Sequence, residues 1–463
     1  MRNLLGRTAL LVSALITASC SSTATSTTPA SSVSRASTTT SGSGSSYISH
    51  IVVVIQENRS FDDLFATFPN AYGATQGLMK TGSGGDTEVP LQMVPLKEHC
   101  DFGHGYNGYL VNYDGGKMDG FGLAPYACSG HTTAAYQYVD PQQILPYWTI
   151  AQQYVLADQL FQTQGSGSFT AHQDLIAGGT VIDPAKNISI VDTPDRTPWG
   201  CDAPKGTKTS LLKPVGSILK LEQHRGPFPC LTYETLRDLM DAHSVSWKYY
   251  SPPVVGGEGS LWNAFDAISA VRYDPSEWGV NVTSSNTQIF SDISNNQLPA
   301  VSWVVPDRQD SDHPGPGPDT GPSWVASIVN AIGESPYWST TAVVVVWDDW
   351  GGFYDNWAPP FHDEWGGLGF RVPMLVVSPY AREASPSQPG YISHTQYEFG
   401  SILKFIEDTF NLGRLGTTDS RATSIEDCFD FTQPPRTFQA IPSSLSKRYF
   451  LQRRPSYQPV DTE

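Results

Sequence analysis

Runs of apolar, mostly β-branched residues are the clearest pattern along this chain, and they predict buried strands. About four to eight such residues between polar stretches are typical of a strand that is covered on both faces. The predicted strands are Ile51–Ile55, Val245–Tyr250, Ala300–Val305, Ala342–Trp347 and Pro373–Val377. Apolar residues at helical spacing lie between and after these runs. The predicted helices are Ile144–Gln152, Tyr233–Ala242, Ser323–Ile332 and Gln396–Thr409. This alternation predicts an α/β fold with a mostly parallel sheet flanked by helices.

In two stretches, residues 67–140 and 180–230, the apolar residues follow neither the pattern of a buried strand nor the spacing of a helix clearly. They are predicted to be long loop insertions that form the walls of a cleft. The 41 glycines, 35 prolines and 12 tryptophans of the chain agree with long, structured loops rather than with an all-helical body.

The first 46 residues are not expected to belong to the folded domain. Residues 1–20 carry two arginines and then an apolar run too short to cross a membrane, as in a bacterial export signal. The small residues ending at Cys20 are similar to a lipoprotein processing box, so lipidation of Cys20 and ordinary cleavage nearby both stay open. Residues 21–46 are predicted to be a flexible Ser/Thr-rich tether. Residues 47–463 are predicted to form a single domain, which is exported to the periplasm, the cell surface or the exterior.

The charge of the chain narrows the choice of partners. The net charge is −17 and the isoelectric point is about 4.9. This balance argues against nucleic acid or another polyanion held by a general basic field. An anionic ligand would need positive charge supplied locally, by a bound cation or by Arg59.

Six cysteines are present, and an exported chain can keep disulfides. The pairs nearest in sequence, Cys100 with Cys128 and Cys201 with Cys230, are the expected ones, and Cys428 would then be free. Spacing alone does not fix this connectivity. The cysteine spacing does not match a zinc site.

Two predicted strands end in polar residues that suit a metal ion. Glu57 and Asn58 follow the first strand, and Asp348 and Asp349 follow the fourth. The carboxyl ends of parallel strands meet at one edge of a sheet, where ligands bind. Oxygen ligands favour a hard or borderline divalent cation of undetermined identity. The alternatives are that Asn58 caps a helix and that the two aspartates start a surface loop.

Several segments resemble one enzyme family, in the same order along the chain. They are Glu57–Asp62 (ENRSFD), Gly115–Phe121 (GGKMDGF), Ser311–Pro314 (SDHP), Trp347–Asp355 (WDDWGGFYD), Phe370–Pro379, and Ser393 with His394. Together they resemble the bacterial phosphoesterase family that contains non-haemolytic-type phospholipases C and an acid phosphatase branch. The resemblance implies a fold like that of alkaline phosphatases and sulfatases. It also implies metal-dependent hydrolysis of phosphate esters, with Arg59 orienting the carboxylates rather than touching phosphate.

The resemblance also implies a nucleophile. The family places a Ser or Thr in a G-P-[ST]-x-P-N element, and Ser168 occupies that place here. The sequence departs from the pattern, because Gly167 replaces the family proline and Thr170-Ala171 replaces Pro-Asn. Ser166 and Thr170 are the alternative nucleophiles, and a plain Gly-Ser turn is the alternative without chemistry. Ser168 would also be a metal ligand.

Further candidates come from the same motifs. His104 and His313 match family positions near the phosphate, where either could bind a phosphoryl oxygen or protonate the leaving group. The residues predicted to contact substrate are His172, Lys117, Asp119 and His394. His50 and His131 are interpreted as structural.

These observations favour an exported phosphoesterase acting on a phosphate monoester or a phospholipid. The chain is expected to end soon after its catalytic core, near Phe429–Phe431, which favours the acid-phosphatase-like branch over phospholipase C. A binding protein that kept the fold and lost turnover is the alternative. A sulfatase is a weaker option, since nothing resembles the sulfatase nucleophile motif. Membrane association is expected only through a lipid anchor, and the oligomeric state stays open.

Overall fold

The computed structural model describes residues 47–81, 84–97, 100–123, 133–216, 218–254, 262–315, 320–361, 367–385 and 387–454. The predicted export signal, the tether and Cys20 lie outside the described residues, as do Cys128 and His131. All described residues belong to one compact unit. Among them, no helix is both long and apolar enough to cross a bilayer.

The strands, numbered along the chain, are β1 His50–Gln56, β2 Gln76–Lys80, β3 Asp86–Pro90, β4 Gln92–Val94, β5 Gln137–Val139, β6 Val155–Ala157, β7 Leu160–Phe161, β8 Val181–Asp183, β9 Ile188–Val191, β10 Ser210–Val215, β11 Ile218–Glu222, β12 Trp247–Tyr250, β13 Val282–Thr283, β14 Val301–Val304, β15 Thr341–Trp347, β16 Met374–Val377, β17 Tyr391–Ser393 and β18 Tyr397–Glu398.

The α-helices are α1 Phe61–Phe65, α2 Tyr106–Tyr113, α3 Leu145–Gln153, α4 Ser168–Ala177, α5 Leu236–Ala242, α6 Ser269–Arg272, α7 Gln288–Ser294, α8 Gly321–Gly333, α9 Phe399–Phe410 and α10 Lys447–Gln452. All five predicted strands and all four predicted helices are present, with each boundary within three residues of its prediction.

The central sheet within the described part of the chain has eight strands, in the order β13-β12-β14-β1-β15-β16-β6-β17. Neighbours pair in parallel except at β16, which runs antiparallel to both β15 and β6. Residues 51–55 of β1 and the whole of β15 are buried. Successive side chains of a strand point to opposite faces, so both faces of the sheet are covered. The predicted α/β fold with a mostly parallel sheet is confirmed.

The helices that cover the sheet form two packed groups. One contains α4, α5 and α9, and the other contains α3, α7, α8 and α10. Helix α4 is tied to the sheet by the indole N–H of Trp303 in β14, which donates to the Leu175 carbonyl at 3.2 Å. This contact fixes the helix that carries Ser168 against the sheet.

The two stretches predicted as loops contain regular structure, so the prediction was incomplete. Strands β8 to β11 form a four-stranded antiparallel sheet in the order β11-β10-β9-β8 within residues 180–230. Residues 67–140 contain the β2–β3 hairpin and helix α2. These strands are short, and exposed positions interrupt several of them, so their sequences show no long apolar run.

The cysteine predictions are confirmed where the structure describes them. Cys201 and Cys230 form a disulfide, and Cys428 is a buried free thiol. Cys100 is also disulfide-bonded.

Candidate metal-dependent active site

The candidate site lies where β1 and β15 end. The two strands are parallel neighbours, and Gln56 pairs in register with Trp347 at their last position. Glu57 and Asp348 therefore leave the sheet side by side. The Asn58 backbone N–H donates to Asp348 Oδ1 at 3.0 Å, which joins the two strand ends directly.

Two tight turns hold these residues in place. Asn58 has a φ of 56°, a left-handed conformation that asparagine adopts more readily than most residues. Gly351 has a φ of 61°, and a Cβ there would lie 2.2 Å from the Asn58 carbonyl oxygen. Asn58 is therefore not a helix cap; Ser60 is the N-cap of α1 and accepts from the Asp63 N–H. Gly352 also has a positive φ, 74°, so the chain turns directly after the two aspartates.

Ser168 is the first residue of α4 and brings a hydroxyl into the carboxylate cluster. Its Oγ lies 3.2 Å from Asp349 Oδ2, 3.4 Å from Glu57 Oε2 and 3.5 Å from Asn58 Oδ1. The sequence predicted that Glu57, Asn58, Asp348, Asp349 and Ser168 share one site, and the structure brings these five residues together. The helix N-terminus adds partial positive charge beside Ser168.

His172 lies one helical turn after Ser168, on the same side of α4. Its Nε2 is 2.8 Å from Glu57 Oε1 and 3.7 Å from Asp348 Oδ2. One ligand atom from each of Glu57, His172 and Asp348 lies within 4.8 Å of the other two. His172, predicted to contact substrate, thus contacts two of the predicted metal ligands.

Burial makes this cluster electrostatically costly. Glu57, Asp348 and Asp349 are fully buried. Desolvation, followed by repulsion from Glu57, raises the pKa of Asp348 to about 8, and burial raises the pKa of Glu57 well above its usual range. Desolvation lowers the pKa of His172 to about 4, so its imidazole stays neutral at physiological pH.

The donor set fits a divalent cation. Three buried carboxylates, an amide oxygen and a hydroxyl converge on one place, and a neutral imidazole stands beside them. Ionised carboxylates at this spacing need a compensating positive charge, which a divalent cation would provide. Oxygen ligands with one available nitrogen suit borderline as well as hard cations.

His104 and His313 lie beside this cluster. His104 Nε2 is 2.7 Å from Asn58 Nδ2 and 3.8 Å from Asp349 Oδ2, while its Nδ1 is 2.6 Å from the Phe102 carbonyl. The carbonyl partner favours the tautomer that carries its proton on Nδ1. The ring of His313 lies 6.2 Å from that of His104 and 6.0 Å from that of Trp262. Sequence reasoning missed Trp262, because nothing links a lone tryptophan to a distant histidine.

The alternative nucleophiles are placed differently from Ser168. Ser166 Oγ accepts from the Asp192 N–H at 2.9 Å and lies 3.4 Å from Asp192 Oδ1. Thr170 is buried, and its hydroxyl has no hydrogen-bond partner in the described part of the chain. Asp192 was also missed, although it directly follows the apolar strand β9 just as Glu57 follows β1.

The resemblance implied that Arg59 orients the predicted metal-binding carboxylates, but its contacts are with other groups. Its guanidinium donates to Asp63 Oδ2 at 2.9 Å and to the carbonyls of Asp312 and Leu96, and it lies over the Phe353 ring. Arg59 therefore has a structural role, because its buried guanidinium joins three segments of the chain next to the site.

The remaining predicted substrate contacts belong to other clusters. Lys117 is largely exposed and pairs with Asp114 at 3.2 Å. Asp119 is buried, and its carbonyl accepts from the Lys80 N–H. His394 lies at the end of β17, where its Nδ1 is 2.9 Å from Asp158 Oδ2 and its ring stacks on Tyr72 at 4.2 Å. The function proposed below does not use Lys117, Asp119 or His394.

Comparison with known proteins gives the family. The sequence profile of the Phosphoesterase family matches residues 48–413. Phospholipase C B of Mycobacterium tuberculosis is 24% identical over 447 residues, which cover 84% of this chain and 78% of that protein. Non-hemolytic phospholipase C of Burkholderia pseudomallei is 24% identical over 473 residues, covering 89% and 63%. A solved protein in the alkaline phosphatase superfamily from Vibrio parahaemolyticus aligns with 82% of this chain and 72% of its own, at 11% identity and a TM-score of 0.36. The resemblance of the motifs is thus confirmed: the chain belongs to the Phosphoesterase family and is a hydrolase that acts on phosphate esters.

Proposed function

We propose that this protein is an exported, metal-dependent phosphoesterase with Ser168 as its nucleophile. One observation carries the proposal: the Ser168 hydroxyl lies 3.2–3.5 Å from oxygens of Asp349, Glu57 and Asn58, at the N-terminus of α4. A divalent cation held by these residues and Asp348 would supply the charge that lowers the pKa of the hydroxyl and neutralises phosphoryl oxygens.

The residues then divide the work as follows. Ser168 Oγ–H gives its proton to a nearby carboxylate, Asp349 being the closest, and Oγ attacks phosphorus. The Oγ–P bond forms while the bond from phosphorus to the leaving oxygen breaks. His104 or His313, as an imidazolium with protons on both ring nitrogens, donates its Nε2 proton to that leaving oxygen. A water molecule then attacks the phosphorus of the phosphoserine and loses a proton to the same histidine. The Oγ–P bond breaks, Oγ takes back the proton held by the carboxylate, and phosphate or a phosphomonoester is released.

The substrate class follows from the relatives. The relatives from Mycobacterium tuberculosis and Burkholderia pseudomallei described above are named phospholipases C, which favours a phospholipid over a phosphate monoester. We therefore propose a phospholipid, cleaved between glycerol and phosphate.

The test compares p-nitrophenyl phosphate with p-nitrophenylphosphorylcholine, each with and without a chelator. Ser168→Ala is the matched variant. We expect faster turnover of the choline diester, lost both with chelator and in the variant. Turnover that survives both treatments would exclude the proposed site, and a preference for the monoester would assign the protein to phosphatases.

Leaving-group dependence separates the two histidines. A nitrophenolate departs without help, whereas an alkoxide needs a proton. The variant of the general acid, His104→Gln or His313→Gln, should therefore lose much more activity on an alkyl ester than on a nitrophenyl ester. The variant of the other histidine should lose activity equally on both. Equal losses in both variants would remove the acid role from both residues.

A further inference from the structure

An apolar and basic tip stands at the end of the β10–β11 hairpin. Val215 and Ile218 are directly opposite each other across the turn and are 53% and 65% exposed. Directly opposed residues of a hairpin point to the same face. The two aliphatic side chains therefore form one exposed patch at the outermost position of the hairpin.

Two lysines lie on the same face of the hairpin, two residues before Val215 and two residues after Ile218. Lys213 pairs in register with Lys220, and Lys213 also forms an ion pair with Glu222 at 2.6 Å. Like charges directly opposite each other on a sheet are destabilising, and Glu222 offsets only one of the two, so this part of the hairpin keeps a net positive charge. Residues 204–226 carry five Lys and Arg against one Glu, in a chain whose net charge is −17. The hairpin is thus a basic island on an acidic protein.

The other face of the hairpin packs inward. Leu212 is buried in the same apolar cluster as Trp350, the residue after Asp349, and Leu219 and Leu221 pack against that cluster. Strand β9 of this sheet leads into Asp192, which is hydrogen-bonded to Ser166, two residues before the nucleophile. One small sheet therefore carries the exposed tip at one end and supports the nucleophile turn at the other.

We infer that the β10–β11 tip, formed by Val215, Ile218, Lys213 and Lys220, docks on an anionic lipid bilayer. This inference rests on the proposed function, since it presents the site to a phospholipid in a membrane. The strand rise of about 3.3 Å per residue places the aliphatic pair about 7 Å beyond the lysines. Side chains of a membrane-surface element enter the headgroup and acyl boundary to about 5–10 Å. When Val215 and Ile218 enter the acyl boundary, the two ammonium groups lie at the level of the lipid phosphates.

The binding test uses the full chain with Cys20→Ala, so that no acyl chain is attached there, and with Ser168→Ala, so that no lipid is consumed. Sedimentation with phosphatidylcholine vesicles that contain about 30% phosphatidylglycerol measures the partition coefficient. Val215→Thr with Ile218→Thr keeps β-branched residues in the strands and removes the apolar tip. We expect about a tenfold lower partition coefficient. Val280→Thr with Leu451→Gln, at positions 55% and 52% exposed elsewhere, is the matched control and should bind like the parent.

The lysines give a second, independent readout. Lys220→Gln should weaken binding to the anionic vesicles about fivefold and leave binding to pure phosphatidylcholine unchanged. Parent-like binding by the Val215/Ile218 variant, an equal loss in the control pair, or no binding by the parent would each overturn the inference.

Activity separates this inference from the proposed function. With Ser168 restored, the Val215/Ile218 variant should hydrolyse p-nitrophenylphosphorylcholine at the parental rate and vesicle phospholipid about tenfold more slowly. An unchanged rate on the soluble diester also shows that the variant is folded. Binding through the tip by a chain that hydrolyses no phosphate ester would support the docking surface and refute the proposed function.

Discussion

Strands β1 and β15 each supply carboxylates to two clusters, and the two clusters are neutralised in different ways. Glu57 and Asp348 meet beside Ser168, Asn58 and His172. A few residues later along the same segments, Asp62 and Asp355 meet around the guanidinium of Arg371.

The second cluster carries its own cation. Arg371 is fully buried and lies 3.1 Å from Asp355 Oδ2 and 3.4 Å from Asp62 Oδ1. It also donates to the carbonyls of Tyr72 and Asp158. Two buried acids that share a guanidinium form a permanent structural unit. The contrast shows two ways to accommodate buried acids: Arg371 balances one pair, and in the proposed site a divalent cation would balance the acids around Ser168.

The largest effect is expected among the acids around Ser168. Asp348→Asn removes one charge from the proposed metal site but keeps an oxygen for the Asn58 N–H. We expect the turnover of p-nitrophenylphosphorylcholine to fall by about a thousandfold or more, with bound metal reduced in parallel. Elemental analysis and steady-state kinetics measure both. A fully active variant with its metal retained would contradict the proposed site.

The second prediction concerns the arginine cluster. Arg371→Met leaves two buried carboxylates without a cation and should lower the free energy of unfolding by about 3–4 kcal/mol. Urea unfolding of the metal-loaded protein measures this change, and kcat per folded molecule should stay near the parental value. Lys117→Met is the control, because an exposed pair contributes about 0–1 kcal/mol. A large loss of activity in that control would restore Lys117 to the active site.

Asp312 offers a third kind of carboxylate, bonded through its side chain to neutral donors. Its Oδ2 accepts from the Tyr147 hydroxyl at 2.8 Å and from the Trp347 indole N–H at 3.0 Å. Burial raises the pKa of Asp312 from 3.8 to about 6. The folded state therefore holds this proton more tightly than the unfolded state does. The resulting stability is complete below about pH 4 and is lost as the pH rises to about 6.

Asp312→Asn tests whether stability falls as Asp312 ionises, since an amide cannot ionise. Between about pH 4 and 6.5 the parent should lose about 2–3 kcal/mol of unfolding free energy relative to the variant. Urea unfolding at both pH values gives the difference. Parallel pH curves for the two proteins would show that Asp312 is ionised throughout.

The smallest expected effect is on the stability of the metal-free protein, and it comes from the acids around Ser168. At about pH 9, above the pKa of about 8 for Asp348, metal-free Asp348→Asn should be more stable than the metal-free parent by about 1 kcal/mol, because the parent buries an ionised carboxylate there. Added metal should reverse the order, because binding stabilises the parent. Thermal unfolding with chelator and with excess Mn²⁺ checks both signs. Equal stability in the two conditions would mean that the acids are not a cation site.

Elements that are specified by residues close together in the sequence could be predicted, whereas elements that depend on contacts between distant segments could not. The long apolar strands β1 and β15 were predicted because their pattern is local, and their shared edge followed from parallel pairing. Strands β6 and β17 have only three residues each and were missed. Their pairing partners stabilise them, and those partners are distant in sequence.

The same distinction applies to the site. Ser168 and the four other proposed metal ligands were predicted from adjacent motif residues. His172 was noted, but its position beside Glu57 depends on α4 beginning at Ser168, and none of the four predicted helices covers residues 168–177. Arg371 was not singled out at all, because its carboxylate partners lie on other segments of the chain.

The reversed strand β16 has a consequence for natural and designed variation. At β1 and β15 the chain reaches the sheet edge that carries the candidate site as it leaves the strand, so changes before these strands fall at the opposite edge of the sheet. At β16 the chain reaches that edge as it enters, which is how Arg371, three residues before Met374, comes to lie there. A library meant to reshape the approach to the site should therefore diversify residues upstream of β16 and downstream of its neighbours.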